Sequence, residues 1–186
     1  MPHPFEESLV RHCAATLAGH KCGSLFSYRW RPGEGPEGAL EELNGLLRKK
    51  GIQALILREQ DGVGLIYVYR VAAIQRQLDR REVRLFLQKQ GYPTASVAQS
   101  LAHLGKRLSA DGGFPHEIGV FLDYPLSDVI AFIENKGLHF RQAGYWKVYS
   151  NEAEALRIFD LYTKCREVYL KCYRRGFGVE RLTVAA

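Results

Sequence analysis

The chain has 186 residues, with 26 Lys and Arg against 20 Asp and Glu (formal net charge +6), and is 46% hydrophobic and 25% charged. That length suits one large domain, which buries roughly 70% of its unfolded surface and folds without disulfides or a metal. The composition is ordinary for a soluble protein, the absence of internal repeats excludes a solenoid, and no apolar run approaches the length of a membrane span.

Pro4 opens a helix whose apolar positions Phe5, Leu9, Cys13 and Leu17 recur every four residues until Gly19 ends it. SLFSYRW (24–30) reads as a first strand by its aromatic content. RPGEGPEG is a Gly- and Pro-rich loop, expected to be the most mobile interior segment. A second helix carries Leu40, Leu43 and Leu47 on one face, ends in Lys49-Lys50 and stops at Gly51. IQALILRE (52–59) and VGLIYVYR (63–70) flank Gln60-Asp61-Gly62, a strong hairpin signal. Both strands are apolar on successive positions, which predicts that they are central and covered on both faces.

Residues 71–90 read as two helical pieces, because the stripe Val71, Ile74, Leu78 does not continue in phase into Val83, Phe86, Leu87. A further helix carries Val97, Leu101, Leu104 and Leu108 and breaks at Asp111-Gly112-Gly113. Two short helices follow within FPHEIGVFLDYPLSDVIAFIENKG (114–137), the most apolar long segment, split at Asp123-Tyr124-Pro125. YWKVYS (145–150) reads as a fourth strand. A long last helix starts near Asn151 with Glu154 as capping partner, and its expected seam is Ala155, Ile158, Tyr162, Cys165, Tyr169, Cys172. The sum is an α+β fold: a mostly antiparallel sheet of about four strands covered by several helices, one domain over 1–186. The first few residues and 177–186 are expected to fray.

HCAATLAGHKCGSLFSY, IYVYR, FPHEIGVFLDYP, IENKG and GYWKVY together resemble a bacterial family of unknown function known mainly from anaerobes. The resemblance spans nearly the whole chain, and FPHEIG…YP with GYWKVY is a specific combination. In that family a proline usually stands where this chain has Ala15, and a glycine where it has Asp123. The resemblance implies a small cytoplasmic bacterial protein. It hands over no reaction, no cofactor and no catalytic residues.

Function must therefore be argued from side chains. Pro4, Glu6 and Glu7 speak against a basic-then-apolar leader, and four cysteines without one are expected to be free thiols, so a cytoplasmic location is expected. The positive charge favours an acidic partner, either a small anionic ligand or nucleic acid. Ile118, Gly119, Leu122, Val129 and Ile133 sit at helix-turn-helix spacings. The second helix, however, offers Ser127 and Asp128 where a DNA reader needs Arg, Lys, Asn or Gln, and Asp123 and Asp128 would face phosphates. A buried helical hairpin is the preferred reading, and nucleic acid is disfavoured. No CxxC or paired-histidine spacing exists, so no metal site is assigned and no cofactor can be named. Cys13 could act as a nucleophile only if the fold brought it to His116.

His116 and Glu117 follow Pro115 at a helix start, beside unpaired backbone N–H groups that attract anions. The leading expectation is an accessory protein that binds a small molecule or anion. Its pocket lies between His116-Glu117 and the aromatic strand bearing Tyr145 and Lys147, with Lys21 and Arg70 adding charge. One alternative is an enzyme with His116 as general base and Glu117 as its partner. The other is nucleic-acid binding through residues 115–136. Oligomeric state is open.

Overall fold

The computed structural model of the protein describes residues 4–31, 33, 35–110 and 113–185. The expectations for residues 1–3, for Pro32 and Glu34 in the loop, and for the Asp111-Gly112 break lie outside the described residues.

In chain order the elements are α1 (Pro4–Leu17), β1 (Gly23–Arg29), α2 (Pro36–Leu47), β2 (Ile52–Gln60), β3 (Val63–Arg70), α3 (Val71–Asp79), α4 (Arg81–Lys89) and α5 (Val97–Ser109). Then come α6 (Ile118–Phe121), α7 (Leu126–Glu134), β4 (Gln142–Ala143), β5 (Lys147–Val148), α8 (Glu152–Arg174) and α9 (Val179–Leu182). The β2–β3 hairpin turns on Asp61 (φ 52°) and Gly62 (φ 71°), the left-handed pair that a two-residue connection between twisted strands requires. Asn151 caps α8 by accepting from Glu154 N at 3.3 Å. Among the described residues no helix is long and apolar enough to cross a membrane.

The fold is α+β. β1, β3 and β2 form an antiparallel sheet in that order, and β4 and β5 form a separate two-stranded hairpin. YWKVYS therefore does not extend the main sheet; only Lys147–Val148 pair, with Gln142–Ala143. Of the two strands expected at the centre, only β3 is central, with seven of its eight residues buried. β2 is an edge. Its exposed backbone is shielded at Ala54, where the Asn44 side chain accepts from the N–H at 2.8 Å and donates to the C=O at 2.9 Å, as a neighbouring strand would.

Alternation along β3 builds two cores. Ile66 and Val68 face one side with Phe26, Tyr28, Ile52 and Ala54, meeting the α1 stripe Phe5, Leu9, Cys13, Leu17 and the leucines of α2. Leu65, Tyr67 and Tyr69 face the other, against Ile74, Val83, Leu87, Leu101, Leu104 and Phe121 from α3 to α6. Each fully buried aliphatic side chain contributes about 1.5–3 kcal/mol. A third cluster packs Trp146 and Val148 against Ala14, Ala15, Ala155, Phe159, Tyr162 and Cys165. The α8 seam thus adds Phe159, keeps Ile158 and Tyr169 half-buried at its margin, and continues to Leu170 and Tyr173. The late half of the helix passes beneath α1, where Tyr173 bonds Glu6.

The parity that sends Val68 toward α1 also sends Arg70 there. The last turn of α1 has no basic residue of its own. Arg70 supplies the positive charge and further donors: Nε to Thr16 O at 2.6 Å and Nη2 to Leu17 O at 2.7 Å and Val184 O at 2.8 Å. Val184 N returns a bond to Leu17 O at 3.0 Å, and Lys50 Nζ donates to Thr183 O at 3.1 Å. With Val179 and Thr183 buried, residues 177–185, expected to fray, are instead docked, because they complete the end of α1.

Candidate functional site

α6 is a single turn that begins at Ile118, so His116 and Glu117 lie in the turn before it, accepting through their carbonyls from Gly119 N and Val120 N. Adjacent side chains in such a turn diverge. The His116 ring is exposed and meets the Phe132 ring edge-on at 4.8 Å. Glu117 points the other way and is 2% exposed. Its Oε1 accepts from Tyr92 OH at 2.9 Å and lies 2.6 Å from Arg107 Nε, an ion pair in which the N–H is not aligned on the carboxylate. Burial, and then the Glu117 charge, push the Tyr92 phenol far up. Glu117 therefore ties α5 to α6, and no bond joins it to His116 among the described residues. The expected His-Glu pair is not formed.

His116 and Lys147 do line one cavity, of about 230 Å³, between α6, α7 and the β4–β5 hairpin. Its walls are Phe114, Ile118, Leu122, Tyr124, Val129, Phe132 and Trp146. The two helices meet at Gly119, where a Cβ would lie 2.7 Å from Val129 Cγ2, which accounts for a residue without a side chain. Lys147 Nζ donates to Gly137 O at 2.8 Å and sits 4.7 Å from the Phe140 ring centre and 5.6 Å from that of Phe132.

Asp128, the residue that weighed against a DNA-reading helix, also borders this cavity. It is 2% exposed. Oδ2 accepts from Trp146 Nε1 at 2.8 Å, while Oδ1 accepts from Tyr149 N at 3.1 Å, Ser150 N at 2.9 Å and Ser150 Oγ at 2.7 Å. Four donors on one carboxylate latch the strand-like segment onto α7. The readable signal was a lone charge inside the apolar run LSDVIAFI. Both faces of the main sheet are covered by helices, so the β3 tyrosines offer no open stacking platform.

Lys21 and Tyr145 belong to a second cavity, of about 280 Å³, lined also by Arg11, His12, Tyr124, Tyr162 and Arg166. Leu122 and Tyr124 border both cavities. Lys21 is 8% exposed, with Nζ 5.4 Å from the Tyr124 ring centre and 5.5 Å from that of Tyr162. Burial draws its amine below the ordinary lysine range, against the opposing pull of Cys13, Cys22 and Asp123. Burial likewise draws the His12 imidazole down, helped by the charges of Arg11 and Arg166, and pushes the Tyr124 phenol up to about 12. Asp123 adopts φ 65°, the left-handed region that glycine enters freely, and its Oδ2 accepts from Cys22 N at 2.9 Å.

The six expected site residues thus separate. His116 and Lys147 share one cavity and Lys21 and Tyr145 the other, while Glu117 and Arg70 line neither and hold elements together. Cys13 is fully buried in the core under α1, and burial pushes its thiol far up, which removes it from any pairing with His116. Among the described residues no three His, Cys, Asp or Glu side chains converge as metal ligands do.

No curated protein and no solved structure matches the chain significantly. The family model described as "Protein of unknown function (DUF3793)" matches residues 9–183, and the chain belongs to that family.

Proposed function

We propose that this protein is a cytoplasmic accessory protein that binds a small molecule with an apolar body and an anionic group in the cavity between α6, α7 and the β4–β5 hairpin. One observation carries the reading: apolar and aromatic walls enclose about 230 Å³, and the two basic side chains on its boundary are His116 and Lys147. Small-molecule sites combine such walls with a few orienting polar groups. Asp128 supports the reading as well. Its charge is consumed by Trp146, Tyr149 and Ser150, so it anchors the wall without repelling an anion as a free carboxylate would. The four free cysteines, three of them buried, suit a reducing compartment.

The test is calorimetric titration with 4-phenylbutyrate, which has an aromatic body and one carboxylate. The expected result is saturable binding that weakens about tenfold in Lys147→Met, by loss of a charged contact, and less in His116→Ala. Absence of heat at millimolar ligand, or binding unchanged in both variants, removes the proposal.

A further inference from the structure

We propose that the second cavity is an anion site, in which the Lys21 ammonium receives the carboxylate or phosphate group of a compact ligand. The inference does not depend on the cavity at His116. It starts from an imbalance of charge: Arg11, Lys21 and Arg166 line this space, and no Asp or Glu is among its lining residues. Arg11 is partly engaged at 3.1 Å by Glu7 on its outer side.

The second observation is the state of Lys21 itself. It is 8% exposed, yet among the described residues no hydrogen bond or ion pair reaches its Nζ, and its close neighbours are the two tyrosine rings. Asp123 acts on it through space, but the Asp123 Oδ2 is bonded to Cys22 N. An ammonium on a mostly buried side chain that meets no protein acceptor leaves room for a partner from outside. Other buried or half-buried cations here do not behave this way: Lys147 donates to Gly137 O and Arg70 to three carbonyls. Burial lowers the Lys21 amine, and an anion beside it would raise it again.

Size and walls define the ligand class. About 280 Å³ is at the lower end of ligand cavities and suits a compact occupant such as phosphate or a small aromatic carboxylate. Tyr124, Tyr145 and Tyr162 offer rings for a flat body, and burial and its two arginine neighbours draw the His12 imidazole down.

The experiment titrates the full-length protein with benzoate, its neutral counterpart benzamide and inorganic phosphate, followed by calorimetry and amide chemical shifts. Benzoate, phosphate or both are expected to bind, shifting signals around Lys21, while benzamide does not. Benzoate alone assigns the site to carboxylates and phosphate alone to phosphates. Lys21→Met is expected to weaken binding about tenfold or more, and Arg166→Gln, at an exposed position that folding tolerates, about threefold, with 4-phenylbutyrate binding at the other cavity unchanged in both. The proposal is overturned if neither anion binds, if benzamide binds as well as benzoate, or if both variants bind like the parent.

Discussion

Two buried cations lie close together at the end of α1 and have opposite surroundings. Arg70 is 6% exposed and Lys21 8%, and burial lowers both below their ordinary range. The Arg70 guanidinium spreads over the Thr16, Leu17 and Val184 carbonyls, a planar fork that adds charged donors to a helix end and its docked neighbour. Lys21, four residues beyond Leu17, meets the faces of Tyr124 and Tyr162, and among the described residues no hydrogen bond reaches its Nζ. Burial of a charge is therefore uninformative by itself. What its donors touch separates a structural rivet from a group awaiting a partner.

Substitution can break that contrast. Arg70→Met removes three charged hydrogen bonds, although Thr16 O and Leu17 O keep Gly19 N and Val184 N as donors, and should cost about 2–4 kcal/mol in urea unfolding; a loss under 1 kcal/mol would show that the fork is dispensable. Asp128→Ala extends the same logic to an anion with four donors, and a loss of about 2–4 kcal/mol is expected. Changed Trp146 fluorescence would accompany it, since Asp128 accepts from the indole N–H. Lys21→Met should have the opposite sign, raising stability by up to about 1 kcal/mol because an unpaired buried charge gives way to an apolar side chain. If Arg70→Met and Lys21→Met cost the same, the distinction fails.

The smallest effect concerns His12 in the Lys21 cavity. Its folded-state pKa lies below the ordinary 6.5, so the folded protein binds fewer protons there than the unfolded chain. The resulting contribution to stability is complete above about pH 6.5 and is lost as pH falls through the lower folded value. The urea midpoint measured from pH 8 to pH 5 should decline less in His12→Gln than in the parent.

Local signals in the sequence read well. Gln60-Asp61-Gly62 turned where its type demands, the phase break near residue 80 separated α3 from α4, and Asn151 capped α8. These features depend on neighbours within a few residues. The failures depend on distant ones. YWKVYS has a strand's composition, but its backbone was claimed by Asp128, so it pairs over only two residues. β2 reads as a central strand because α2 and α5 bury it through side chains while its backbone edge stays open. The tail looked free because nothing in 177–186 announces that Arg70 needs an acceptor from it. As for the candidate site, residue types singled out as basic or aromatic were legible. Which of them share a cavity was not, since adjacent residues such as His116 and Glu117 end on opposite sides of one turn.

Tyr124 stands between the two chambers. Its ring tilts against Trp146 at 5.2 Å on one side and faces the Lys21 ammonium on the other. A single aromatic partition makes the rooms neighbours in a mechanical sense: an occupant that pushes the ring from one room takes space from the other. Trimming that partition to alanine should merge them into one larger vestibule, and the ligand preferences of both would then have to be measured anew.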